Sequence, residues 1–138
     1  MTTIRIKNRD IPLLYTVWEM KQIQEEIAPL GIALKLALGH NPDDETDESM
    51  YGSAEHLKNA AKLMRIMGNA GLEEAGEDPD LTDKKVMRAI KPIDLADMIN
   101  ACMDAINEGM ESEIQPKKEE GPVDVTLEEI NKKKVKDE

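Results

Sequence analysis

A long stripe of apolar and small side chains between residues 57 and 72 limits what this chain can fold into. Its members recur at offsets of three and four, which places them on one face of an α-helix for about four turns. They are Leu57, Ala60, Ala61, Met64, Met67, Gly68, Gly71 and Leu72. An amphipathic helix of this length must bury its apolar face, so the sequence predicts a mainly helical domain.

Two glycines, Gly68 and Gly71, lie on the apolar face of this predicted helix. A glycine inside a helix costs about 1 kcal/mol relative to alanine, so both positions need a physical reason. Glycine on a packed face lets another backbone approach closely. Two interpretations follow: the glycines admit the last helix of the domain, or they open the apolar stripe to a binding partner.

The first 15 residues predict a β-hairpin. The segment "TIRIKNRDIPLLY" alternates apolar and polar side chains, turns at residues 8 to 10, and then becomes apolar again. Pro12 cannot donate a hydrogen bond to a neighbouring strand, so its strand is expected at an edge. A two-stranded ribbon is marginally stable alone, and we therefore expect it to lie on helices or on a partner.

Two helical signals follow the hairpin. Thr16 and Glu19 have the spacing of a capping box, which predicts a first helix with Trp18 nearly opposite its apolar face. That face comprises Met20, Ile23 and Ile27. The next segment, "IALKLALG", fits either a short buried helix or an apolar connector, because periodicity does not distinguish the two.

Residues 53 to 110 contain start and stop signals for three further helices. Ser53 is placed to cap the long helix, and Gly76 is placed to end it in a left-handed conformation. Thr82 is expected to cap a short helix whose inward side chains are Val86, Met87 and Ile90. The final helix, about 93 to 110, has its apolar face on Leu95, Met98, Ile99, Cys102, Met103 and Ile106.

Charged segments interrupt and follow these helices. Residues 43 to 48 form an acidic loop. From residue 111 the chain is mostly charged and has too little apolar area to offset the entropy of ordering. We therefore divide the 138 residues into a hairpin-plus-helix domain at 1–110 and a disordered tail at 111–138. The expected fold class is mainly α with a short N-terminal β-hairpin.

The charge balance excludes several classes of function. With 18 basic and 29 acidic residues the chain has a net charge of −11, which disfavours binding to nucleic acid or to an anionic membrane. No apolar run approaches the roughly 18 residues of a membrane-spanning helix, and the first residues lack a signal sequence. Cys102 is the only cysteine, so an internal disulfide is excluded and a reducing cytoplasm is expected.

No pattern of catalytic or metal-binding residues emerges. His40 and His56 are interpreted as surface residues, because a zinc site needs three or four ligands. The acidic loop departs from the EF-hand pattern at Glu48 and Ala54, where glycine and glutamate are required. No phosphate-binding glycine loop occurs, and Cys102 is expected to be a buried structural thiol. We therefore expect no enzyme activity, no metal and no cofactor.

The nine methionines offer the best candidate for a binding surface. Methionine packs adaptably, so Met-rich helical faces either fill a core or form a groove that accepts apolar helices of varied sequence. Trp18, turned away from the apolar face of its helix, is either an interface anchor or packed under the hairpin. The candidate partner-binding residues are Trp18, Met64, Met67, Gly68, Gly71, Leu72, Met98 and Met103.

Residues 65 to 110 resemble a known family. The segment "MGNAGLEEAGEDPDLT", the "KP" before the last helix and "AINEGM" at its end are similar to the tail assembly chaperones of long-tailed phages and prophages of Gram-positive bacteria. The predicted hairpin and helix in "IRIKNRDIPLLYTVWEM" also look like this family. The resemblance covers about residues 3 to 110 and contains no catalytic motif.

The resemblance implies a function. It implies a protein of the host bacterial cytoplasm that binds and solubilises the helical tape measure protein, helps recruit tail tube subunits, and is absent from the finished virion. Whether copies of the chain self-associate stays open. The alternative is an acidic inhibitor that mimics nucleic acid and blocks a basic host enzyme. That alternative requires acids on one rigid face, whereas here they cluster in loops at 43–48 and 73–83 and in the tail.

Overall fold

The computed structural model describes residues 1–40 and 50–111. Its elements are strands β1 (Thr3–Ile6) and β2 (Arg9–Pro12), helices α1 (Val17–Glu26), α2 (Leu30–Ala37), α3 (Ala54–Glu74) and α4 (Asp83–Ala89), a 3₁₀ turn (Pro92–Asp94), and helix α5 (Leu95–Gly109). The domain is mainly helical with an antiparallel N-terminal hairpin, which confirms the predicted fold class. The predicted acidic loop at 43–48 and all of the predicted tail 111–138 except residue 111 lie outside the described residues.

A two-residue turn closes the hairpin. Ile6 pairs with Arg9, so Lys7 and Asn8 form the turn, and the predicted turn at residues 8 to 10 is displaced. Both turn residues have positive φ, 50° and 62°, which matches the right-handed twist of the two strands. Pro12 ends an edge strand, as expected, because both strands of a two-stranded sheet are edges.

Helix α1 begins at the predicted capping box. The Thr16 side chain accepts a hydrogen bond from the backbone N–H of Trp18, and the Glu19 carboxylate accepts one from the backbone N–H of Thr16 at 2.9 Å. This bond holds Glu19 on the inner side of the helix, one turn before the fully buried Ile23. Met20 is exposed instead, so its predicted inner position is wrong. The next segment is a helix, α2, whose apolar side packs on α3.

Helix α3 is the element on which the rest of the domain packs: α1, α2, α4, α5 and β2 all contact it. Ser53 caps its first turn by accepting from the backbone N–H of His56, and Gly76 follows its last turn with a φ of 79°. Both end signals are therefore confirmed. Its buried residues include Ala60, Ala61, Leu63, Met64, Ile66, Met67, Gly68, Gly71 and Leu72.

Gly71 lies where the hairpin crosses α3. A β-carbon at this position would overlap the backbone carbonyl group of Pro12. The close approach also lets the backbone N–H of Leu14 donate to the carbonyl oxygen of Met67 at 3.1 Å. The glycine therefore admits another backbone, as one interpretation proposed, but that backbone belongs to the hairpin and its exit rather than to the last helix.

The loop after α3 folds back over Gly68. The Asn69 side chain accepts from the backbone N–H of Leu81 at 2.9 Å and donates to the carbonyl oxygen of Leu81 at 3.0 Å. This pair of bonds places the Leu81 side chain so close that a β-carbon at Gly68 would lie 2.7 Å from its Cδ1. Side chains of the hairpin and of this loop thus close the apolar face of α3 at its C-terminal half.

Helices α4 and α5 complete the domain. Thr82 caps α4 by accepting from the backbone N–H of Lys85, as predicted. Val86 is buried against the core, but Met87 is exposed because it faces the space between α4 and α5. The predicted inward position of Met87 is therefore wrong. On α5 the predicted face is buried at Met98, Ile99, Cys102 and Ile106 and half-buried at Leu95 and Met103.

Candidate functional site

Most of the predicted partner-binding residues lie in the core. Side chains or backbones of six of them are buried: Met64, Met67, Gly68, Gly71, Leu72 and Met98. The hairpin and the loop that carries Leu81 lie directly against Gly68 and Gly71. The apolar side chains of Met64, Met67 and Leu72 are fully buried, so they present no surface to a partner in this fold. The methionines of that segment fill the core, and the predicted groove along it is not a surface.

Trp18 and Met103 lie elsewhere. The Trp18 side chain is 62% exposed, and the Lys21 ammonium nitrogen lies 4.3 Å from its ring centre, a cation–π contact. Trp18 is thus on the surface and not packed under the hairpin. Its role as an interface anchor stays a prediction. Met103 is half-buried on α5.

An exposed apolar groove lies instead between the N-terminal half of α3, helix α4 and the start of α5. Its volume is about 350 Å³. Its lining residues are Tyr51, Gly52, Leu57, Ala61, Val86, Met87, Ile90, Lys91, Pro92, Leu95 and Met98, and we call this surface the apolar groove. Met98 is the one predicted partner-binding residue that lines it. Among the described residues that line it, Lys91 is the one with a charged side chain.

Large apolar side chains of the groove remain in contact with solvent. Tyr51 is 52% exposed, Met87 42% and Leu57 36%. Ile93, which lies between two lining residues in the sequence, is 85% exposed. Apolar surface in water is unfavourable in proportion to its area. The groove can therefore gain free energy by burying apolar side chains of a partner.

His56 organises one end of the groove. The buried ring accepts at Nδ1 from the backbone N–H of Gly52 at 2.9 Å, and its Nε2 lies 2.9 Å from the carbonyl oxygen of Ala37. A carbonyl oxygen only accepts, so the proton of the ring is on Nε2. The ring also contacts Tyr51, with centroids 4.6 Å apart. His56 thus links α2, α3 and the segment before α3.

The predicted surface position of His56 is therefore wrong, whereas His40 is exposed as predicted. The sequence contained the signal for burial. His56 lies four residues before Ala60, which places it on the same face as the apolar stripe of α3. A polar residue on that face must find buried hydrogen-bond partners, and the two backbone groups supply them.

Arg65 fixes the wall that α4 provides. Its Nε donates to the Asp83 carboxylate at 2.6 Å, and its Nη2 donates to the Glu26 carboxylate at the end of α1. Burial alone would lower the pKa of Arg65, but the hydrogen bonds to Glu26 and Asp83 outweigh burial and raise it above its usual range. Arg65 therefore stays charged and holds the start of α4 against α3.

The described residues were also compared with three other features: a reactive cysteine, a metal site and a membrane-spanning helix. Burial raises the pKa of the Cys102 thiol to about 12, which agrees with the predicted structural role and leaves the thiol protonated at neutral pH. Within residues 1–40 and 50–111, no group of three or more His, Cys, Asp or Glu side chains is arranged to hold a metal ion. In the same part of the chain, no helix has the length and apolar character that crossing a membrane requires.

The site is thus an open groove with a mainly apolar lining. Its walls are helices held by caps, by His56 and by Arg65, and its exposed surface consists of flexible or aromatic side chains. Comparisons with protein-family models, with curated proteins and with solved structures find no match to this chain.

Proposed function

We propose that this protein is a non-enzymatic tail assembly chaperone whose apolar groove binds an amphipathic helix of the tape measure protein. The observation that carries the proposal is the groove itself, which is open, apolar and walled by helices. Helix-in-groove recognition uses such a surface to receive a few apolar side chains that recur along one face of the partner helix. The resemblance to tail assembly chaperones includes residues 65 to 110, which supply α4 and α5, two of the three walls.

The side chains of the groove suit a partner of varied sequence. Met87 is largely exposed, unbranched and able to adapt to different shapes, so one groove can accept successive segments of a long helix. A volume of about 350 Å³ holds a few side chains rather than a whole helix. Several copies of the protein would therefore be needed to cover a long client.

The charge of the chain complements this role. A long amphipathic helix aggregates through its exposed apolar face. Copies of a protein with a net charge of −11 that cover this face repel one another between complexes and keep the client dispersed. On this proposal the protein acts in the host bacterial cytoplasm, helps recruit tail tube subunits, and is released before the virion is finished.

The proposal is tested by a pull-down from cells that express the whole neighbouring gene cluster, with bound proteins identified by mass. The groove variants are Leu57→Glu and Met87→Glu, which place a charge among exposed apolar side chains. The matched control is Ile32→Glu, because Ile32 is an equally exposed apolar residue on α2 outside the groove. Circular dichroism and thermal unfolding show whether each variant keeps its fold.

We expect the unchanged protein and Ile32→Glu to retain a long helical partner in high salt, and both groove variants to lose it while folded. Retention by both groove variants, or equal loss with Ile32→Glu, would overturn the assignment of the groove. Capture of a basic nucleic-acid enzyme that elutes as salt rises would instead support the acidic inhibitor.

A further inference from the structure

A second surface, on the other side of α4, has the opposite charge from the chain as a whole. It is a cleft of about 610 Å³ between the hairpin and α4. Five of the 18 Lys and Arg residues of the chain line it: Lys7, Arg9, Lys84, Lys85 and Arg88. We call it the basic cleft. The chain as a whole has a net charge of −11, whereas this part of its surface is rich in positive charge.

Asp80 is the one carboxylate among the described residues that line the basic cleft, and it neutralises only part of this charge. Asp80 pairs with Arg9 at 3.0 Å and with Lys85 at 3.9 Å. Lys7, Lys84 and Arg88 have no ion-pair partner among residues 1–40 and 50–111. The cleft therefore keeps a net positive charge that its own walls leave unpaired.

The basic cleft also has apolar walls. Ile6 and Ile11 of the hairpin and Leu81 before α4 line it together with the cations. Ile11 is buried, and the other two are half-buried. A ligand that matches the cleft thus carries negative charges beside apolar groups. An ion such as phosphate would leave the apolar part of the lining without a partner.

We propose that the basic cleft binds an acidic segment of a partner protein, in which Asp or Glu residues flank apolar side chains. Carboxylates match the guanidinium and ammonium groups of the rim, and apolar side chains match the half-buried Ile6 and Leu81. A nucleic-acid strand is the poorer match, because every phosphate outside the cleft would face the acidic remainder of the surface.

Helix α4 separates the basic cleft from the apolar groove. Val86, Met87 and Ile90 line the groove, whereas Lys84, Lys85 and Arg88 line the cleft. Two ligands can therefore bind on opposite sides of one helix without sharing a lining residue from α4. The cleft is independent of the client proposed for the groove, and the protein would join two different partners.

The test measures fluorescence anisotropy of a short fluorescein-labelled peptide in which glutamates flank leucines. The cleft variant is Lys84→Glu with Arg88→Glu. The matched control is Lys35→Glu with Lys58→Glu, which makes the same change in charge at exposed lysines of α2 and α3 that do not line the cleft. The same peptide with glutamine in place of glutamate tests the need for carboxylates.

We expect the cleft variant to raise the dissociation constant at least about tenfold and the control to change it less than about twofold, with affinity falling as salt rises. Met87→Glu should leave peptide binding unchanged, which separates this proposal from that for the groove. Failure of the peptide to bind the unchanged protein, or equal weakening by both double variants, would overturn the proposal. Binding of a labelled oligothymidylate in place of the peptide would overturn it in favour of a phosphate ligand.

Discussion

The two halves of α3 have the same kind of apolar face but opposite surroundings. In the C-terminal half, Gly68 and Gly71 let Leu81 and the hairpin lie directly on the helix, and the face becomes core. In the N-terminal half, Leu57 and Ala61 remain at the wall of an open groove. The absence of side chains at Gly68 and Gly71 thus decides which part of α3 is covered. We call the covered C-terminal half of α3 the sealed half and the N-terminal half, which borders the groove, the open half.

The largest expected effect comes from adding one methyl group to the sealed half. In Gly71→Ala the new β-carbon overlaps the carbonyl group of Pro12, and neither backbone can move without lifting the hairpin from α3. We expect the free energy of unfolding to fall by more than about 4 kcal/mol, because strain and lost packing add. Urea denaturation followed by far-ultraviolet circular dichroism measures it.

Gly31→Ala is the matched control for this change. Gly31 is also inside a helix, and a β-carbon there would meet nothing within 4 Å. Helix propensity then predicts a gain of up to about 1 kcal/mol. A Gly71→Ala protein as stable as the unchanged one would show that the hairpin does not press on α3 at this point.

The second prediction compares a methionine in the core, Met64, with a methionine that lines the apolar groove, Met87. Met64 is fully buried in the sealed half, so Met64→Ala should cost about 3 kcal/mol through lost burial and a cavity. Met87 is largely exposed in the groove, so Met87→Ala should cost less than about 1 kcal/mol. Thermal and urea unfolding of both variants test the difference. Equal losses would contradict the assignment of one methionine to the core and the other to a surface.

The local part of this fold follows from the sequence. The caps at Thr16, Ser53 and Thr82 and the stop at Gly76 each depend on residues within one turn, and all four are found. Periodicity likewise predicts the apolar face of α5.

Contacts between distant elements could not be predicted in the same way. Periodicity gives an apolar face but does not say which element covers it. It therefore leaves Met64 open between the core and a groove, and it predicts an inward Met87, whereas Met64 is in the core and Met87 lines the groove. The groove itself arises from three elements that are separate in sequence. Its position depends on the hairpin, since the hairpin covers the other half of α3.

The third prediction concerns the open half. His56→Leu removes the hydrogen bonds to Gly52 and Ala37 and leaves the backbone N–H of Gly52 and the buried carbonyl oxygen of Ala37 without this partner. We expect a loss of about 2 kcal/mol in the free energy of unfolding, together with weaker client binding because the Tyr51 end of the groove loses its support. His40→Leu, at an exposed histidine, should change stability by less than about 0.5 kcal/mol. Similar losses for both variants would refute a structural role of His56.

The smallest effect concerns a pH-dependent contact that ties the start of β1 to the end of α5. The backbone N–H of Thr2 donates to the Glu108 carboxylate at 2.8 Å, and the Thr2 hydroxyl donates at 3.1 Å. These bonds, the backbone one first, lower the pKa of Glu108 below its ordinary value of 4.5. A carboxyl whose pKa is lower in the folded protein stabilises it above the unfolded pKa, and this contribution is lost as pH falls through the folded pKa.

Glu108→Gln should therefore lower the melting temperature slightly at neutral pH, and the difference from the unchanged protein should narrow as the pH falls from 7 toward 3. Glu111→Gln removes the same charge from a side chain that makes no hydrogen bond with the described residues, so it should show no such narrowing. A difference in melting temperature that stays constant across this range would mean that ionisation of Glu108 does not stabilise the contact between the start of β1 and the end of α5.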